Sequence, residues 1–182
     1  MGKPMLPEKG LRECDVRLGL SVMAGVAVFN LISAAWAGAG SYLNLCILAI
    51  CCAFVSDVDW KTSWKSGLTR LMLTGTGALA ALIPLFIYDL TQSEVLLTIV
   101  VGVVVAIAVV ICKFYNVMYV QCRLAAVAFI LSTYTFHGAQ YAAMGKTGYG
   151  FVLMWILSTI LGIVISVVVA AIVDLVKGII KK

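Results

Sequence analysis

Six apolar segments follow one another along this chain, and they restrict its fold more than any other feature. They cover about residues 18–37, 42–55, 71–88, 95–112, 117–136 and 151–173. About 20 apolar residues in a helix cross the roughly 30 Å hydrocarbon core of a bilayer. A soluble chain of 182 residues with 63% hydrophobic and 12% charged residues would expose too much apolar surface. The sequence therefore predicts an all-α integral membrane protein with six transmembrane helices over residues 18–173, flanked by polar segments 1–17 and 174–182.

Residues 57–70, ahead of the third span, form an amphipathic stretch. Trp60 and Trp64 recur at helical spacing, and Lys61 and Lys65 fall on the opposite side of the same helix. Aromatic rings in the lipid and ammonium groups in the water are typical of a helix that lies in the membrane interface. The pattern predicts a short interfacial helix that turns, at Arg70, into the third span.

The basic residues predict the orientation of the spans. If the N-terminus is cytoplasmic, twelve of the thirteen Lys and Arg residues fall on the cytoplasmic side, and Lys146 alone falls in an outer loop. Because cytoplasmic loops of membrane proteins carry an excess of Lys and Arg, we expect both termini and residues 57–69 to face the cytoplasm. Scattered among short loops, these residues do not form a nucleic-acid-binding patch.

Small residues mark the packing faces of two spans. Gly77, Ala78 and Ala81 in the third span and Gly162 in the sixth allow another helix to approach closely. We therefore expect them to lie at helix contacts, including contacts with a second copy of the chain.

The two halves of the chain match weakly at an offset of 85 residues. Thr74 corresponds to Thr159, and Gly77 corresponds to Gly162. Each half would hold three spans, an odd number, so the halves would be inverted relative to one another, as in many transporters. Two inverted three-helix repeats and chance matches in a chain rich in Gly and Ala both stay open.

A longer pattern resembles a known family. Its residues are Arg17 at the start of the first span, Ser63-x3-Gly67-x2-Arg70-x3-Thr74-x2-Gly77-Ala78, and Thr159-x2-Gly162. The pattern resembles the fusaric acid resistance (FUSC) / aromatic acid exporter superfamily and, distantly, the plant aluminium-activated malate transporters. The resemblance implies a bacterial inner-membrane protein that exports small, often aromatic, organic acids. It also implies a homodimer, because six spans are half of the twelve common in that superfamily. Trp155 stands where the family often has arginine.

The candidate anion site consists of cations and polar residues in the spans. Arg70 and Arg123 offer planar forks that bind a carboxylate bidentately and keep their charge. Gln121, Thr74 and Thr76 could complete such a site. The alternative is that the arginines only anchor helices by snorkelling to lipid headgroups.

Three functions remain open on this sequence. The first is export of small organic acids. The second is a passive organic-anion channel, which the lack of an Asp or Glu well inside a span favours. The third is a non-transporting membrane scaffold or partner subunit. We expect no enzyme, since there is no nucleophile–base pair. We also expect no cofactor and no metal, since the chain has a single His and its six cysteines show no CxxC spacing.

Overall fold

The computed structural model describes residues 13–36, 38–56, 59–114, 119–134 and 148–180, and every regular element in them is a helix. The helices are α1 (Glu13–Ala35), α2 (Ala39–Tyr42), α3 (Leu45–Val55), α4 (Trp60–Ala80), α5 (Leu82–Thr91), α6 (Glu94–Lys113), α7 (Tyr119–Tyr134) and α8 (Gly148–Ile180). Predictions for residues 1–12, 37, 57–58, 115–118, 135–147 and 181–182 lie outside the described residues.

Four segments of the described chain are long and apolar enough to cross a membrane. They are Asp15–Ala35, Trp60–Thr91, Glu94–Lys113 and Gly148–Ile179. The apolar helices Leu45–Val55 and Cys122–Tyr134 are shorter. At 1.5 Å per residue, the 11 residues of α3 extend over only about 17 Å, which is less than the hydrocarbon core. The prediction of an all-helical membrane protein is confirmed at this level.

Side-chain caps determine where three of the helices begin. Asn44, Asp59 and Ser93 each precede a helix, and each accepts a hydrogen bond from the backbone N–H three residues later. Such caps satisfy one of the N–H groups that a helix leaves without an intrahelical partner.

The structure differs from the sequence prediction around Arg70. The predicted interfacial helix over residues 57–70 does not end there, because α4 runs without interruption from Trp60 to Ala80. The break comes at Ala81, between α4 and α5. Pro84 explains its place, since proline has no N–H to bond to the carbonyl of Ala80 and its ring clashes with that carbonyl.

Hydrogen bonds between helices establish the directions of α1, α3 and α8. The hydroxyl oxygens of Ser21 in α1 and Ser56, just after α3, are 3.5 Å apart, so α1 and α3 are antiparallel. The backbone N–H of Asn44 donates to Ser158 Oγ, and Ser166 Oγ donates to the carbonyl of Cys52. The residue numbers of the paired positions rise together along α3 and α8, so these two helices are parallel.

The remaining directions follow from the other contacts. The backbone N–H of Trp60 donates to Asp174 over 3.3 Å, so the start of α4 meets the end of α8. One apolar cluster contains Leu73, Cys112 and Cys122, and a second contains Ala81, Val104 and Phe129. Thus α4 is parallel to α7, and α6 is antiparallel to both. Along the chain, α1, α3, α4–α5, α6, α7 and α8 alternate in direction. We call the two ends of this bundle the Asp174 end and the Asp89 end.

Two glycines allow the closest helix contacts in the bundle. A Cβ at Gly77 would collide with the backbone carbonyl of Ala125 in α7, and one at Gly162 would lie 2.6 Å from Cys51 Cβ in α3. Ala78 and Ala81 belong to the same buried cluster as Ala128 of α7. This small-residue face is occupied within the chain, so it no longer supports the homodimer that the sequence argument placed on it.

Candidate anion-binding site around Arg70

The residues of α4 on which the family resemblance rests all lie on one face of that helix. Spacings of three and four residues place side chains on the same face of a helix. The buried members are Ser63, Gly67, Arg70, Thr74, Gly77 and Ala78. Helix α4 packs against α3, α7 and α8, and Arg70 is held among small residues on its buried face.

Arg70 contacts α3 through two different interactions. Its Nε donates to Cys51 Sγ over 3.3 Å, and its guanidinium carbon lies 4.5 Å from the centre of the Phe54 ring. The contact with the ring face is a cation–π interaction, which offsets part of the cost of removing the charge from water. Only 8% of the Arg70 surface is exposed.

The rest of the guanidinium is less well satisfied. Arg70 Nη1 is buried and has no hydrogen-bond partner among the described residues. A buried donor left without a partner costs roughly 1–3 kcal/mol, and more when the group is charged. A negatively charged or strongly accepting ligand would remove this cost.

Two hydrogen-bond donors on α8 are also buried and unpartnered among the described residues. Trp155 Nε1 and Thr159 Oγ1 are buried without a hydrogen-bond partner within the described part of the chain. They are four residues apart, so they lie on one face of α8. Thr159 is one turn before Gly162, which abuts Cys51. Cys51 is therefore flanked by Arg70 from α4 and by this face of α8.

The predicted site residues do not all meet at Arg70. Thr74 Oγ1 donates to the Arg70 carbonyl and Thr76 Oγ1 donates to the Met72 carbonyl, each over 2.7 Å. Each hydroxyl proton is thereby used within α4, so it is not available to an anion. Arg123 lies on an exposed face of α7, and the side chain of Gln121 is outside the described part of the structure.

The predicted interface residues lie on the exposed side of the first turns of α4. Trp60, Trp64, Lys61 and Lys65 are all exposed. The Lys61 ammonium lies 5.8 Å from the centre of the Trp60 ring, so these two side chains are neighbours and do not point to opposite sides.

Sequence reasoning missed an ion pair at the Asp174 end. Arg17 Nη2 lies 2.5 Å from Asp174 Oδ1, and Arg17 is only 2% exposed. The pair joins the first turns of α1 to the last turns of α8, 157 residues apart. The positions of the two residues at opposite ends of the chain gave no signal that they meet.

In comparisons with known proteins, no family model, no curated protein and no solved structure matches this chain.

Proposed function

We propose that this protein passes small organic anions across a bacterial inner membrane, outward, and that Arg70 binds the anion on its way. One observation carries the proposal: a guanidinium nitrogen buried between apolar helices has no partner among the described residues. Charged groups inside membrane proteins are costly, and they mark binding sites and transport pathways by default.

The surroundings of Arg70 favour a carboxylate. Because Nε is held by Cys51, the two terminal nitrogens form the end of the fork that remains for a ligand. The neutral donors Trp155 Nε1 and Thr159 Oγ1 would add hydrogen bonds from α8. Phe54, which covers the guanidinium, gives the site an apolar wall that suits the organic part of a small acid.

The arrangement of the helices supports six crossings with both termini on the cytoplasmic side. Six helices or helix pairs alternate in direction, and Arg17, Arg123 and Lys177 lie toward the Asp174 end. By the positive-inside rule, the Asp174 end faces the cytoplasm.

The helix contacts also support two inverted three-helix repeats. In each half the first helix packs against the second, α1 on α3 and α6 on α7. The second helix of each half then packs against the third helix of the other half, α3 on α8 and α7 on α4. Gly162 and Gly77, which are 85 residues apart, make the close approaches in these two contacts. The repeats, the FUSC resemblance and a homodimer fit this transport function and remain part of the proposal.

Flux into proteoliposomes tests the role of Arg70. With radiolabelled benzoate as the probe, we expect Arg70→Gln to lower benzoate flux about tenfold or more. The reason is that a hydrogen bond to a charged group contributes roughly 1.5–3 kcal/mol to binding. The flux of Arg70→Lys should fall between those of the wild type and Arg70→Gln, because lysine keeps the charge and loses the planar fork. Lys65→Gln, which removes an exposed cation from the same helix, is the matched control. Benzoate flux of Arg70→Gln equal to that of the control, at equal reconstitution, would contradict the proposal.

The same vesicles distinguish the rival functions. An exporter responds to an imposed proton gradient, whereas a channel carries anion current without one. A scaffold or partner subunit does neither. Arg123→Gln should affect flux less than Arg70→Gln, because Arg123 is exposed.

A further inference from the structure

Two aspartates hold the ends of the long helices together at opposite ends of the bundle. At one end, Asp174 Oδ2 accepts from the backbone N–H of Trp60, at the start of α4. At the other end, Asp89 Oδ2 accepts from the hydroxyl of Tyr149, at the start of α8, over 2.7 Å. Each carboxylate therefore comes from the end of one long helical segment and binds the beginning of the other.

The two aspartates are also related by the internal offset of the chain. Asp89 and Asp174 are 85 residues apart, the same separation as Gly77 and Gly162. The glycines make close helix contacts between the halves, and each aspartate makes its contact nearer one end of the bundle. The two acceptors thus share the offset of the glycines, although their partners differ: Asp174 accepts from a backbone N–H and from Arg17, and Asp89 accepts from a tyrosine hydroxyl.

The acceptor sides of both contacts lie near the surface of the bundle, although Arg17, the second partner of Asp174, is buried. Asp89 and Tyr149 are exposed, and the side chain of Asp174 is 30% exposed. Asp174 and Trp60 line an open groove of about 580 Å³, together with Leu175 and Ile179. By contrast, Cys51, next to Arg70, is only 1% exposed. The anion site is therefore closed off from both ends in this structure, and access to it requires one end to open.

We propose that the contacts of Asp174 and Asp89 are two gates, one at each end of the path past Arg70, and that each is released separately. This inference rests on the proposed transport function. When the Asp174 contacts to Trp60 and Arg17 break, the start of α4 and the end of α8 separate and the site opens to that side. When the Asp89–Tyr149 hydrogen bond breaks, the end of α5 and the start of α8 separate and the site opens to the other side.

Cys51 is a native reporter of this opening. The experiment keeps it as the sole cysteine, with Cys14, Cys46, Cys112 and Cys122 changed to Ala and Cys52 to Ser, which keeps a donor toward the Gly162 carbonyl. The anionic, membrane-impermeant reagent sulfonatoethyl methanethiosulfonate is added to one face of membrane vesicles at a time. A separate protein with Lys65→Cys and no other cysteine establishes the sidedness of the vesicles. A Cys51→Ser version gives the background.

Each gate has a variant that opens it. We expect Asp174→Ala, which removes the acceptor for the Trp60 N–H and the charge paired with Arg17, to raise the labelling rate of Cys51 about fivefold or more from the Lys65 face only. Tyr149→Phe removes only the hydroxyl and should raise labelling by a similar factor from the opposite face only. Tyr88→Phe is its control, because the Tyr88 hydroxyl donates to Glu94 across the α5–α6 turn.

Equal increases from both faces, or unchanged labelling in both gate variants with intact gel-filtration profiles, would overturn the inference. Labelling needs no transported solute, so its outcome is separate from that of the flux assay. If labelling follows the expected pattern while Arg70→Gln keeps its benzoate flux, the gates stand and the anion site fails. If flux is lost but labelling does not change with the gate variants, the anion site stands and the gates fail.

Discussion

Gly77 and Gly75 lie two residues apart on α4 and should respond in opposite ways to the same change. A Cβ at Gly77 would collide with the Ala125 carbonyl, an atom of the α7 backbone that cannot move aside by itself. A Cβ at Gly75 would meet nothing within 4 Å. Since both residues are in the interior of the same helix, the change to Ala has the same helix-propensity gain of about 1 kcal/mol at both positions.

The magnitude follows from the two surroundings. Extra volume in a packed core costs about 1–3 kcal/mol, so Gly77→Ala should be destabilising by up to about 2 kcal/mol after the gain in propensity. Gly75→Ala should be neutral or stabilising by up to about 1 kcal/mol. For a chain of this size, 1 kcal/mol shifts the midpoint of thermal unfolding by about 2–4 °C.

Thermal unfolding of the detergent-solubilised protein, followed by gel filtration with fluorescence detection, measures both shifts. We expect Gly77→Ala to unfold at a temperature several degrees lower than Gly75→Ala. Equal midpoints for the two variants would refute the assignment of Gly77 to the α4–α7 contact, because a helix-propensity effect alone is the same at both sites.

Two other predictions concern the start of α4. If the Asp174 end is cytoplasmic, a cysteine at Lys65 will react with an impermeant reagent only in inside-out vesicles; reaction in intact cells would mean that the orientation is wrong. The hydrogen bond from the Thr62 backbone N–H lowers the pKa of Asp59 from its ordinary value of 3.8. Its stabilising contribution is therefore complete above that value and is lost as the pH falls through the lowered pKa. Asp59→Asn keeps an acceptor, so its midpoint should depend less on acid pH than that of the wild type, and an identical dependence would contradict the assignment.

The sequence predicted best those elements that local signals define. The span 95–112 matches α6 (Glu94–Lys113) closely, because a nearly pure apolar run is bounded by Ser93 as a cap and by Lys113. The interfacial location of residues 57–70 stays a prediction, but the helix boundary at Arg70 was not visible in the sequence: the Trp and Lys side chains occupy the exposed face of a helix that continues to Ala80. Nothing in a periodic pattern shows whether an amphipathic segment bends away or continues straight into the core.

The candidate site was predictable only in part. Arg70 stood out in the sequence as a cation ahead of a run of small residues, and the structure buries it. Its partners Cys51 and Phe54 did not stand out in the sequence, because they belong to an apolar segment. Their role becomes visible only when α3 packs against α4. The Arg17–Asp174 pair joins the two ends of the chain, and such a pair becomes visible only when the fold brings α1 and α8 together.

The internal offset relates Arg70 to Trp155, and both positions carry a buried donor without a partner among the described residues. If the two halves are inverted repeats, as proposed above, they present polar groups at equivalent places, but only one of these groups is charged. If Trp155 donates to the same anion from α8, Trp155→Phe should lower benzoate flux by about fivefold, because a neutral hydrogen bond is worth roughly 1 kcal/mol. Its effect should be smaller than that of Arg70→Gln, since no charge is lost. Phenylalanine keeps an aromatic ring against Phe151, whose ring centre is 5.7 Å from that of Trp155, so packing changes little. Wild-type flux in Trp155→Phe would show that Trp155 contributes packing alone and does not donate to the anion.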